Sequence, residues 1–113
     1  MKRYTIWMSY DLGVQGDYQS LYAWLDDHDA KECGDSLAVL QYTHDCSGAD
    51  AMLKALRDEL AQVLDADKRT RIYVIYRDSE DNKNKGRFIF GGRRSSPWIG
   101  YGSKSTGGED EEV

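Results

Sequence analysis

Arg3-Tyr4-Thr5-Ile6-Trp7-Met8-Ser9-Tyr10-Asp11-Leu12 alternates along its whole length. In an extended chain Tyr4, Ile6, Met8 and Tyr10 point to one face, and Thr5, Trp7 and Ser9 to the other. Aromatic and β-branched residues fill it, as they fill half-buried strands. Asp11 closes the run, and Gly13 and Gly16 can turn the chain toward a helix. The stretch is the expected central strand of a small α/β domain, with a carboxylate at its C-terminal end.

Working outward, Asp17 can cap a helix that begins at Tyr18. Leu21, Tyr22, Trp24, Leu25 and His28 recur there at helical spacing. Asp26, Asp27 and Asp29 crowd its C-terminus, where negative charge opposes the helix dipole, so that end should fray or find local partners. Lys31–Cys33 can form a short strand before a Gly34-Asp35 turn. Ser36–Tyr42 is nearly continuously apolar and is expected to be central or covered on both faces. Ser47 offers the next N-cap, with Asp50 three residues on. The second helix carries one stripe of Ala49, Met52, Leu53, Leu56, Leu60, Val63 and Leu64. Arg71–Arg77 alternates again, with Ile72, Val74 and Tyr76 against Tyr73 and Ile75. Ser79–Lys85 reads as a polar loop and Arg87–Phe90 as a short edge strand ended by Gly91-Gly92.

This order predicts an α+β fold, a ferredoxin-like split βαβ sheet with two helices on one face. Residues 1–92 form that domain, and residues 93–113 form a Gly/Ser/acidic C-terminal extension, mostly flexible. The uncovered sheet face would carry Thr5 and Trp7, an aromatic surface that implies a partner. A homodimer, packed sheet on sheet or edge on edge, is the economical solution.

At 113 residues, with 40% apolar and 12% aromatic side chains, the chain suffices for one domain with one core. No apolar run approaches the ~20 residues needed to cross a bilayer. The start Met1-Lys2-Arg3 followed by a strand pattern is not a signal peptide, so no membrane association and a cytoplasmic location are expected. Cys33 and Cys46 have no Cys-x-x-Cys spacing and are expected as free thiols. The net charge of −5 argues against generic nucleic-acid affinity. It is unevenly spread, however. Glu109, Asp110, Glu111 and Glu112 supply most of it, and residues 82–95 hold Lys83, Lys85, Arg87, Arg93 and Arg94 with no acid.

That basic block interleaves cations with Phe88 and is followed by Trp98, a composition suited to phosphate contacts and base stacking. It equally suits a charged edge strand that resists aggregation. Gly91-Gly92-Arg93-Arg94 lacks the spacing of a phosphate loop. His28 and His44 lie beside acids, but at a helix end and in a loop, without zinc-site spacing. The acidic run Glu109–Glu112 can mimic nucleic acid, fold back on the basic block, or merely solvate the terminus.

Tyr10-Asp11-Leu12, the helix entry at Asp17-Tyr18, the Asp35-Ser36 entry to an apolar strand and the Arg71–Tyr76 strand resemble small bacterial and phage proteins of the SinR family. These are similar to VapD toxins and to the ferredoxin-like endonuclease subunit of CRISPR spacer acquisition. The resemblance covers roughly residues 1–80. It implies a ferredoxin-like dimer in bacterial or phage defence, with Asp11 facing its two-fold mate. Asp11 would there be both catalytic residue and metal ligand, holding Mg2+ or Mn2+ for phosphodiester cleavage of RNA or DNA. Some relatives of this kind bind nucleic acid without cutting it. The long C-terminal extension departs from the pattern, and no second carboxylate is obviously paired with Asp11. The residues themselves leave two readings open. One is a metal-dependent nuclease or nucleic-acid binder, with Asp11 at its site and Lys83, Lys85, Arg87, Arg93 and Arg94 on phosphate. The other is a non-catalytic protein-binding or regulatory module that uses the aromatic sheet face or the Trp98 patch.

Overall fold

Strand β1, Lys2–Asp11, lies at the centre of a five-stranded antiparallel sheet in the computed structural model, which describes residues 2–45, 47–78 and 80–103. Around it come α1 (Tyr18–Asp27), β2 (Lys31–Gly34), β3 (Leu37–His44), α2 (Ala49–Val63), β4 (Arg71–Asp78) and β5 (Lys83–Phe90). The strand order is β2-β3-β1-β4-β5. The fold is α+β, with helices gathered on one face of the sheet.

The alternation of β1 sets that arrangement. Tyr4, Ile6, Met8 and Tyr10 are buried, and they share a core with Ala38, Leu40 and Tyr42 of β3 and with Ile72, Val74 and Tyr76 of β4. The same core takes Leu21, Trp24 and Leu25 from α1 and Met52, Leu53, Leu56 and Leu60 from α2. Both apolar helical stripes therefore close over the even-numbered face of β1. Removing a fully buried leucine such as Leu56 from such a core costs about 2–5 kcal/mol.

Asp17 caps α1 as its position predicts, its carboxylate accepting the Ser20 N–H at 3.2 Å. It also accepts the backbone N–H of Asp65, just beyond α2, at 3.0 Å. The acidic end of α1 does not fray. Asp29 adopts φ 54°, and the N–H groups of Asp29 and Ala30 return to the carbonyls of Asp26 and Leu25. That pair of bonds is a Schellman closure, which an αL aspartate permits.

Strand β3 lies inside the sheet, the first of its two expected settings, and alternates between buried and exposed positions because helices lie on one side only. Three expectations are corrected. Asp35 and Ser36 form the two-residue hairpin loop before β3, with Ser36 at φ 64°. Helix α2 is capped by Gly48 rather than Ser47, since Met52 N–H closes the first turn on the Gly48 carbonyl. Strand β5 begins at Lys83 instead of Arg87, so the last three residues of the expected loop, Lys83, Asn84 and Lys85, pair with β4. Its polar start is tolerated because β5 is an edge.

No helix among the described residues is long and apolar enough to cross a membrane. Cys46 and the acidic run Glu109–Glu112 lie outside the described residues. Cys33 is a free, exposed thiol on edge strand β2.

Candidate functional site

The odd-numbered side of β1 faces away from both helices. Register places Trp7 beside Ile75, Asp11 beside Arg71, Tyr73 beside Phe88 and Arg77 beside Asn84 on this open face. Trp7 is 38% exposed and Ile75 40%, in the middle of the sheet. Two concavities flank them, one at each end of the strands.

The first, about 250 Å³, is lined by Ser9, Asp11, Arg71, Tyr73, Phe88 and Arg93. Its floor is an edge-on pair of rings, Tyr73 and Phe88, with centroids 4.7 Å apart. Gly86 makes room for it: a side chain there would run into the Tyr73 hydroxyl and ring. The guanidinium groups of Arg71 and Arg93 lie 5.6 and 5.7 Å from the Phe88 centroid, within cation–π range. Arg93 also lies 5.9 Å from the centre of Tyr73. Gly91, at φ 72°, turns the chain out of β5, and Arg71 Nε donates to the Gly92 carbonyl at 3.1 Å. That turn brings Arg93 and Arg94, both past the expected domain end at residue 92, back over the sheet.

Asp11 sits at the rim. Its Oδ1 accepts the Gly13 N–H at 3.0 Å, and its Oδ2 lies 3.3 Å from Arg94 and 3.8 Å from Arg71. A divalent cation needs several hard oxygen ligands. Here one carboxylate is flanked by two guanidinium groups, and no cluster of three or more His, Cys, Asp or Glu stands among the described residues. The donor set of a single chain does not fit Mg2+ or Mn2+. In this geometry Asp11 positions arginines.

The second concavity, about 650 Å³, is lined by Lys2, Arg3, Tyr4, Thr5, Trp7, Arg77, Asn82 and Asn84. Arg77 donates from Nε to Asn82 Oδ1 at 3.1 Å and from Nη1 to Asn84 Oδ1 at 3.2 Å. Asn82 closes the β4–β5 turn at φ 60°, its N–H bonded to the Asp78 carbonyl.

The basic block is divided between the two faces. Arg93 and Arg94 stand over the open face. Lys83, Lys85 and Arg87 alternate onto the helix side, opposite Asp78, Tyr76 and Val74. Lys85 bridges Asp78 at 3.0 Å and Asp81 at 2.8 Å, and Arg87 reaches Asp50 at 3.2 Å. Hydrogen bonds to Asp81 and Asp78 hold the Lys85 ammonium well above its usual range. The Glu80 N–H and Lys85 in turn hold the Asp78 carboxyl below its own.

His28, at the end of α1, is held by its neighbours. Its ring stacks on Trp24 at 3.9 Å, with Nδ1 2.8 Å from the Trp24 carbonyl and Nε2 3.3 Å from Glu59. Glu59 also accepts from Trp24 Nε1 at 2.7 Å and from the Tyr42 hydroxyl at 2.9 Å. This cluster ties α1, α2 and β3 together on the helix side, away from the open face. Trp98 and Ile99 remain exposed in a turn beyond the sheet. Sequence reading passed over Arg71, Tyr73 and Ser9. Each was visible as an odd-face position of an expected strand, but only strand pairing brings them together.

No family model, no curated protein and no solved structure matches the chain. The function must therefore be argued from the geometry of the open face.

Proposed function

We propose that this chain binds single-stranded nucleic acid across the open face of its sheet. Phosphates lie against Arg71, Arg93 and Arg94, and bases stack on the rings of Phe88, Tyr73 and Trp7. The observation that carries this reading is the Arg71–Phe88–Arg93 stack beside Tyr73, which joins positive charge to exposed π surface in one concavity. Single strands are bound by that combination, with bases stacked on aromatic side chains or guanidinium planes. Arg3, Arg71, Arg77, Arg93 and Arg94 outweigh Asp11 on this face, although the whole chain is acidic. Two copies packed sheet on sheet would set these arginines against each other, which makes an anionic polymer the better occupant. A homodimer is accordingly proposed only through strand edges, which leave the face open.

The strand order supports a ferredoxin-like reading. Helix α1 joins β1 to β2, α2 joins β3 to β4, and one strand separates the members of each pair. Strand β5 is then an addition at one edge. A place near the SinR and VapD-like proteins remains a proposal on the Tyr10-Asp11-Leu12 strand end. Within that group the present reading is binding without cleavage, because Asp11 is engaged by Arg94 and Arg71.

The test is titration of labelled single-stranded RNA and DNA oligomers at 50 and 200 mM salt, with and without magnesium. Binding should weaken as salt rises, with a slope of about −0.7 per neutralised phosphate, and should not need the metal. Phe88→Ala should weaken it by roughly 5- to 150-fold, the loss of one stacked base. Salt-insensitive behaviour, or no binding at low salt, would return the face to a protein partner. Magnesium-dependent cutting abolished by Asp11→Asn would restore the nuclease reading.

A further inference from the structure

We infer that the acidic run Glu109–Glu112 docks, within its own chain, on the Arg71, Arg93 and Arg94 cluster of the open face and competes there with nucleic acid. The competition rests on the proposed binding of single strands; the docking does not.

The argument is one of charge pairing. On the helix side the basic block has its own carboxylates: Asp78 and Asp81 for Lys85, and Asp50 for Arg87. The open face differs. Among the described residues, Asp11 is the only carboxylate that lines either concavity there. Its Oδ2 is shared by Arg94 at 3.3 Å and Arg71 at 3.8 Å. Arg93 makes no ion pair among the described residues and lies over the rings of Tyr73 and Phe88. Three guanidinium groups thus gather around one carboxylate. Their mutual repulsion is relieved by any further anion that can reach them.

The chain carries such an anion within reach. Glu109, Asp110, Glu111 and Glu112 are consecutive, and Glu109 follows Arg94 by fifteen positions. That is a contour of at most about 50 Å. Strand β1, at ten residues, is about 33 Å long, so the run can reach the cluster at the end of the sheet. Lys104-Ser105-Thr106-Gly107-Gly108, just before the run, has the small and polar composition of a linker. Tethering of this kind gives an effective concentration on the order of millimolar. Four carboxylates held at that concentration displace a weakly bound phosphate chain. They yield to one that brings more charge together with stacking bases.

The experiment sets two variants of the intact chain against wild type. One combines Glu109→Gln, Asp110→Asn, Glu111→Gln and Glu112→Gln. The control removes as many negative charges with Asp27→Asn, Asp29→Asn, Asp35→Asn and Asp65→Asn, at exposed positions that line neither concavity. Without nucleic acid, the Nε–H NMR signals of Arg71, Arg93 and Arg94 should shift in the first variant and stay in place in the control. The wild-type signals should not move on dilution. Affinity for single-stranded oligomers at 50 mM salt should rise about five-fold or more in the first variant, and about two-fold or less in the control. The difference should narrow at 200 mM salt, where exposed charges are screened. Unmoved arginine signals, or equal shifts in both variants, would overturn the docking. Signals that move on dilution would assign the run to a second copy and overturn docking within one chain. Equal gains in affinity would overturn the competition and reduce the run to net charge. Shifted signals with no oligomer bound would leave the docking standing and overturn the nucleic-acid function, and the competition with it.

Discussion

Asp11 and Arg94 stand 83 positions apart in the chain, and their side chains meet at 3.3 Å over the end of the sheet. Both groups are half exposed or more, so the pair adds little stability, about 1 kcal/mol at most. Its effect is to place Arg94 beside Arg71. Asp11→Asn keeps an acceptor for the Gly13 N–H and removes a negative charge from the binding face. Thermal melts should move by no more than a few degrees. Affinity for single-stranded oligomers at low salt should hold or rise a few-fold, and a large loss would show that the carboxylate itself meets the ligand.

Arg87 and Arg93 test which face binds. Arg93→Ala removes a cation stacked on Phe88 and should weaken binding about ten-fold, lowering the salt slope by about 0.7. Arg87→Ala breaks an exposed pair with Asp50 on the helix side and should leave affinity within about two-fold. Equal losses from the two variants would mean that the basic block acts as a run rather than through one face.

That contrast shows what was legible in the sequence. The period of β1, the stripe of α2 and the Asp17 cap could all be read because each is local. The basic block is continuous in the sequence but divided in space. In a strand, neighbouring residues point opposite ways, so Lys83, Lys85 and Arg87 part company with the face that holds Phe88. Arg71 carries no local signal. Its importance comes from pairing with Asp11 and from the bulge that aligns Tyr73 with Phe88. The ring pair could not be found without the register of β4 on β5, nor the Glu59 cluster without the packing of α1 on α2.

Gly86 is a second such position. Gly86→Ala forces Tyr73 off its place against Phe88. Urea denaturation should show a loss of about 1–3 kcal/mol, the usual range for an overpacked contact. Oligomer binding should fall with it, whereas Gly92→Ala, which has open space around it, should change neither.

On the helix side, Glu59→Ala would remove the carboxylate to which the Trp24 indole and the Tyr42 hydroxyl donate. Both rings are buried, so the cost should be about 1–3 kcal/mol, with a shift in tryptophan fluorescence. Glu59→Gln retains one acceptor and should lose less. Nucleic-acid affinity at a temperature where both variants stay folded should be unchanged.

Asp17 supplies a pH test. The Asp65 N–H, with help from Ser20, holds its carboxyl below the ordinary value of 3.8. A lowered folded pKa contributes stability that is complete above the unfolded value and is lost as pH falls through the folded one. Asp17→Ala should lower the melting temperature by a few degrees at pH 7. The gap to wild type should stay constant down to about pH 5 and narrow below pH 4. A gap that persists unchanged at pH 2 would show that the charge of the carboxylate is irrelevant to the cap.

The strict alternation of β1 also has a bearing on how such a chain can change over generations. Ile6, Met8 and Tyr10 are buried in the core, whereas Trp7, Ser9 and Asp11 between and beyond them stand on the open face. Stability and ligand preference are thus written in alternate letters of the same strand. Substitutions at residues 5, 7, 9 and 11 can retune what the face holds while leaving the helices' footing intact. A drifting sequence could in this way acquire new ligands without first passing through unfolded intermediates.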